Sequence, residues 1–167
     1  GNSVFTRDFG YADKESNVEV SADTVFEWGT ASQLLIWVSV LQLAETEEID
    51  MQKEVSEYLP EGELKETLTG TGVTMEHLMN YSSGFQDSLF EKIIPEGVAY
   101  GTLAETLTNN IPKHTYGAGS VVSVSDWPAA LAAYVVEYVS GVDYAQYVKC
   151  NIFSPLEMNH TAMLPDL

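Results

Sequence analysis

A chain of 167 residues, 45% hydrophobic and 19% charged, fits one globular domain that needs no covalent staples. Seven Lys and Arg stand against 25 Asp and Glu, a net charge of −18, which repels phosphate backbones and anionic bilayers and argues against a nucleic-acid partner. The longest uncharged run, Gly29 to Ala44, is shorter than the about 20 apolar residues a membrane span needs.

Val4 to Tyr11, followed by a polar stretch from Ala12 to Asn17, reads as a strand and a turn. Val18, Val20, Val25, Phe26 and Trp28 suggest further short extended pieces. Thr30 is placed to cap a helix over about 31–46. Leu34, Leu35, Ile36, Trp37, Val38, Val40, Leu41 and Leu43 make that helix apolar on nearly every face, so it is expected to be the central buried helix. The Glu-rich segment from Glu45 to Glu66 reads as exposed faces and loops. Thr74 caps a short helix that ends near Gly84, and Gly101 to Asn110 holds another, stopped before Pro112. Ser125 is the expected N-cap of a helix with Trp127, Leu131, Val135 and Val139 on one stripe. Pro128 fits its first turn and Gly141 its end. A last helix runs from about Tyr144 to Ile152. Helices dominate, with a few strands at the front.

The single cysteine, Cys150, rules out an internal disulfide. No basic cluster surrounds it in sequence, so it is expected to be a buried structural thiol. His77, His114 and His160 lie at no metal-ligand spacing, and the acidic segment lacks the spacing of a calcium loop, so no metal and no cofactor are expected. Thr69-Gly70-Thr71-Gly72 lacks the Gly-Lys-Ser/Thr ending of a phosphate loop. No signal-peptide pattern opens the chain, and Gly1 reads as a processed or excised start.

Several segments, taken in order, resemble one family. Phe9-Gly10-Tyr11-Ala12-Asp13, Asp23 to Gly29, Val55-Ser56-Glu57-Tyr58-Leu59-Pro60, Val73 to Met79, Ser82-Ser83-Gly84-Phe85, Val139-Ser140-Gly141 and Ile152 to Met158 follow the serine β-lactamase-like or penicillin-binding-protein-like pattern. The resemblance is to the branch of class C β-lactamases, D-alanyl-D-alanine carboxypeptidases and esterases. It implies an α+β, β-lactamase/transpeptidase-like fold: mostly the helical subdomain with a few antiparallel strands, as one partial domain over 1–167. No Lys-Thr-Gly-like strand occurs before Leu167.

Family chemistry is acyl transfer by Ser-x-x-Lys, assisted by Tyr-x-Asn. The resemblance places Thr30 at the Ser position, Gln33 at the Lys position, and Val124 and Asp126 at the Tyr and Asn positions. A neutral amide is no general base, and Val124 has no proton to give. The leading expectation is therefore a non-catalytic binding or scaffold domain of a bacterial envelope protein, outside the cell or on its envelope. Its ligand, a cell-wall peptide or β-lactam-like small molecule, would be held by Thr30, Gln33 and Asp126. Two other readings stand beside it: an active acyl-transfer enzyme using Thr30, and a truncated fragment without an independent role. Self-association through an exposed sheet edge is a further expectation.

Overall fold

The computed structural model describes residues 4–87 and 101–163. The chain divides into two units, Gly1–Ser32 and Gln33–Leu167.

The first unit carries the only sheet among the described residues, a hairpin of β1 (Tyr11–Asp13) and β2 (Val18–Glu19). Its turn is set by Asp13, whose carboxylate accepts from the backbone N–H of Glu15 and Ser16 at 2.9 and 3.1 Å. The strand expected over Val4 to Tyr11 is corrected: pairing begins at Tyr11, joined by a bond from Val20 N–H to Gly10 C=O at 3.1 Å. Val4, Phe5 and Phe9 are exposed, and an uncovered two-stranded hairpin has little to prolong it. Thr30 is corrected too. It lies inside a 3-10 turn, Gly29–Ser32, closed by Ser32 Oγ donating to Gly29 C=O at 2.7 Å, and so does not cap the next helix.

The second unit is helical. It contains α1 (Gln33–Glu45), α2 (Glu63–Leu68), α3 (Met75–Met79), α4 (Leu103–Asn109), α5 (Asp126–Ser140) and α6 (Tyr144–Val148). The central helix is α5, not α1. It packs against α1, α3, α4 and α6, and buries Pro128, Ala129, Leu131, Ala132, Ala133, Tyr134, Val135 and Val136. By contrast, α1 buries one face (Leu35, Ile36, Ser39, Val40, Leu43) and leaves Leu34 and Leu41 exposed. Buried Ser39 satisfies its hydroxyl by donating to Leu35 C=O at 2.8 Å.

Punctuation follows the sequence closely. Thr74 caps α3 with a reciprocal box, its Oγ1 accepting from His77 N–H and His77 Nδ1 accepting from Thr74 N–H. Gly141, at φ 68°, closes α5. Asp143 caps α6 by accepting from Gln146 N–H at 3.1 Å, and the chain continues into a π-helical turn over Lys149–Phe153. Ile152 and Phe153 of that turn face the core. Cys150 faces outward beside Gln146, so the expectation of a buried thiol is corrected.

Candidate ligand site

The site begins with how two loops of the second unit are held together. After α3 the chain turns sharply. Tyr81 N–H donates to Leu78 C=O at 3.1 Å, and Ser82 N–H to His77 C=O at 2.8 Å. This is a Schellman ending with Tyr81, at φ 53°, where glycine is the usual choice. The segment from Ser82 to Gln86 then runs beside Lys113 to Gly119. Thr115 and Tyr116 N–H both donate to Gly84 C=O, Gln86 N–H donates to Lys113 C=O, and Gly119 N–H donates to Ser82 C=O. Phe85 and His114 form a bridge between the segments. The Phe85 ring lies 4.6 Å from that of His114 and 4.9 Å from that of Trp127.

This arrangement delivers residues 123–126 to the start of α1. Ser123 N–H donates to Tyr81 C=O at 2.7 Å. Gln33, the first residue of α1 and only 8% exposed, then bridges two groups. Its Nε2 donates to Asp126 Oδ1 at 2.9 Å, and its Oε1 accepts from the Tyr81 hydroxyl at 2.9 Å. The direction is forced chemically, because an ionised carboxylate only accepts, so the amide nitrogen must face Asp126. Asp126 opens the 15-residue α5, where the helix dipole favours negative charge. Trp37 meets the Tyr81 ring edge-on at 6.0 Å.

Ser125 occupies the N-cap position of α5, but its hydroxyl does not cap the helix. It donates instead to Asp87 Oδ1 at 2.9 Å. Asp87 belongs to the wall of a cavity of about 290 Å³ lined by Gly84, Phe85, Gln86, Asp87, Tyr116, Val121 and Ser123.

Gln33 and Asp126, expected to share a site, are thus in direct contact. Val124 is exposed and brings no polar side-chain group. Thr30 belongs to the first unit, three residues before Gln33 in the chain. Tyr81 and Asp87 were not singled out from sequence. Tyr81 carried a weak signal, a large residue directly after the Thr74-capped helix, where a glycine is the common stop. Among the described residues, no group of three or more His, Cys, Asp or Glu is placed to hold a metal ion. No described helix is long and apolar enough to cross a membrane.

The fold is that of the β-lactamase and penicillin-binding-protein class. A penicillin-binding protein from Bacillus halodurans superposes with a TM-score of 0.79 at 22% identity, covering 99% of this chain and 54% of that one. The Beta-lactamase family model matches residues 1–166, and the chain belongs to that family. Among relatives, PbpX of Bacillus subtilis, provisionally named a penicillin-binding protein, is 28% identical over 160 residues, which are 96% of this chain and 38% of PbpX. The teichoic acid D-alanine hydrolase of Staphylococcus aureus is 26% identical over 165 residues, 97% of this chain and 38% of the hydrolase. The chain therefore spans less than two fifths of the length of these relatives.

Proposed function

We propose that this β-lactamase-family chain binds a small cell-wall-type ligand and does not carry out acyl transfer. The observation that carries this reading is the Gln33 bridge. At the position where the family resemblance places a lysine, a neutral amide is held between the Tyr81 hydroxyl and the Asp126 carboxylate. An amide neither takes nor gives a proton at neutral pH, so a hydroxyl at position 30 lacks an activating base from this residue. Loss of acid–base assistance alone removes about 10²–10⁴-fold of rate.

The ligand class and the cell-envelope setting are supported by the relatives, one named for penicillin binding and one for teichoic acid D-alanine hydrolysis. The cavity beside Ser125, near the lower limit of ordinary small-molecule pockets, gives room for such a ligand.

Calorimetry tests the reading with three probes: a peptide ending in D-alanyl-D-alanine, a penicillin, and D-alanine methyl ester. At least one is expected to bind the unmodified chain. A variant with Gln33 and Asp126 both changed to alanine is expected to bind it at least tenfold more weakly. Binding of none of the three, or unchanged binding by the variant, would overturn the reading.

A further inference from the structure

Val121 to Val124 run as an exposed edge along the cavity. The stretch carries no helix or turn, and Ser125 at its end is extended, with φ −147° and ψ 146°. Its side chains alternate as they do in a strand: Val121 and Ser123 line the cavity, while Val122 and Val124 are 73% and 62% exposed. The backbone alternates with them. Ser123 N–H donates to Tyr81 C=O at 2.7 Å, so Val122 and Val124 turn their N–H and C=O groups the other way. Among the described residues these groups meet no hydrogen-bond partner. An unpaired edge of this kind accepts a further strand unless charge or proline blocks it, and Thr115 to Ser125 holds no charged residue and no proline.

The cavity selects the strand that fits. Phe85, Tyr116 and Val121 give it an apolar wall. At about 30 Å³ per water, its 290 Å³ matches the volume of about ten waters, room for one side chain. Strand addition draws affinity from main-chain hydrogen bonds and specificity from pockets that take alternate side chains. The net charge of −18 favours a basic peptide over an acidic one and over a second copy of this chain.

We infer that the Val121–Val124 edge binds a basic, extended peptide by strand addition, with one apolar side chain of that peptide seated in the cavity. The inference goes beyond the small-ligand reading above. It uses the same cavity, but its contacts are the backbone groups of Val122 and Val124 rather than Gln33 and Asp126.

The probe is acetyl-Lys-Thr-Leu-Thr-Lys-amide, titrated to millimolar concentration and followed by amide chemical shifts at Gly84–Gln86 and Val121–Ser125. Two further peptides carry N-methyl groups, one on the Leu and one on both Thr. Alternate N–H groups face the edge in a strand addition, so one pattern is expected to weaken binding at least tenfold and the other less than threefold. Replacing the Leu of the probe by Ala is expected to weaken it at least fivefold, and replacing both Lys by Glu at least tenfold. Val122→Pro removes one edge N–H and is expected to weaken the probe at least fivefold, while Val122→Thr keeps it and stays within twofold. Urea midpoints establish that both variants are folded, and the N-methyl comparison needs no variant at all. No shift at these amides, or equal effects of the two N-methyl patterns, would overturn the inference. Dimerisation that shifts the same amides without peptide would overturn it in favour of a second copy. Failure of the peptide with retained binding of D-alanine methyl ester would overturn this inference alone. Binding of the peptide with none of the three small probes would support it and overturn the small-ligand reading alone.

Discussion

Gly84→Ala is expected to lower stability by about 4 kcal/mol, from backbone strain and two weakened hydrogen bonds together. Gly84 sits at φ 83°, where a side chain itself costs about 1–2 kcal/mol. An added Cβ would overlap the backbone carbonyl of Tyr116 and stand 3.1 Å from His114 Nε2. Backbone cannot swing aside as a flexible side chain can. The two segments must part, weakening the bonds from Thr115 and Tyr116 N–H to Gly84 C=O, each worth about 1 kcal/mol net. Gly141→Ala is the control. Its φ is also left-handed, at 68°, yet nothing lies within 4 Å of the added Cβ. It should cost only the backbone strain, about 1 kcal/mol. Urea unfolding measures both. Similar losses at the two positions would show that the Gly84 contact with Tyr116 does not govern this loop pair.

Leu131→Ala is expected to cost about 3 kcal/mol, within the usual range for a buried leucine. Leu131 is fully buried on α5, the helix on which α1, α3, α4 and α6 converge. Its neighbours Ala129, Ala132 and Ala133 are buried as well, and a cavity in such a packed interior closes only in part. Leu41→Ala, on the half-exposed side of α1, should cost well under 1 kcal/mol. With a urea slope of about 1–3 kcal/mol/M, a 3 kcal/mol loss moves the midpoint by 1 M or more. Equal effects at Leu41 and Leu131 would contradict the assignment of α5 as the core helix.

That assignment marks where sequence reading stopped. Composition favours α1 as the core, because Gln33–Glu45 holds no charged residue before Glu45. Yet burial is decided by neighbours, and α5 is the helix that α1, α3, α4 and α6 all pack against. Local punctuation was legible because its causes are local. Thr74 finds His77 three residues on, and Gly141 adopts a conformation that glycine favours. The Val4–Phe9 strand failed for the opposite reason, since pairing needs a partner that local propensity cannot supply.

The site shows the same division. Gln33 and Asp126 were found through a family pattern, and their contact spans 93 residues of chain. The bond from Tyr81 to Gln33 spans 48, and no pattern of spacing announces it. Ser125 was read as a cap because its residue type and place suit one. Its hydroxyl instead serves Asp87, 38 residues away, a choice set by the pairing of the 82–86 and 113–119 segments.

The most direct test is the intact mass of the chain after incubation with a penicillin and with an activated ester. A variant with Ser at position 30, Lys at 33, Tyr at 124 and Asn at 126 is treated in parallel. The account predicts no adduct on the unmodified chain. A covalent acyl adduct on Thr30 of the unmodified chain would contradict it and make this protein an acylating enzyme.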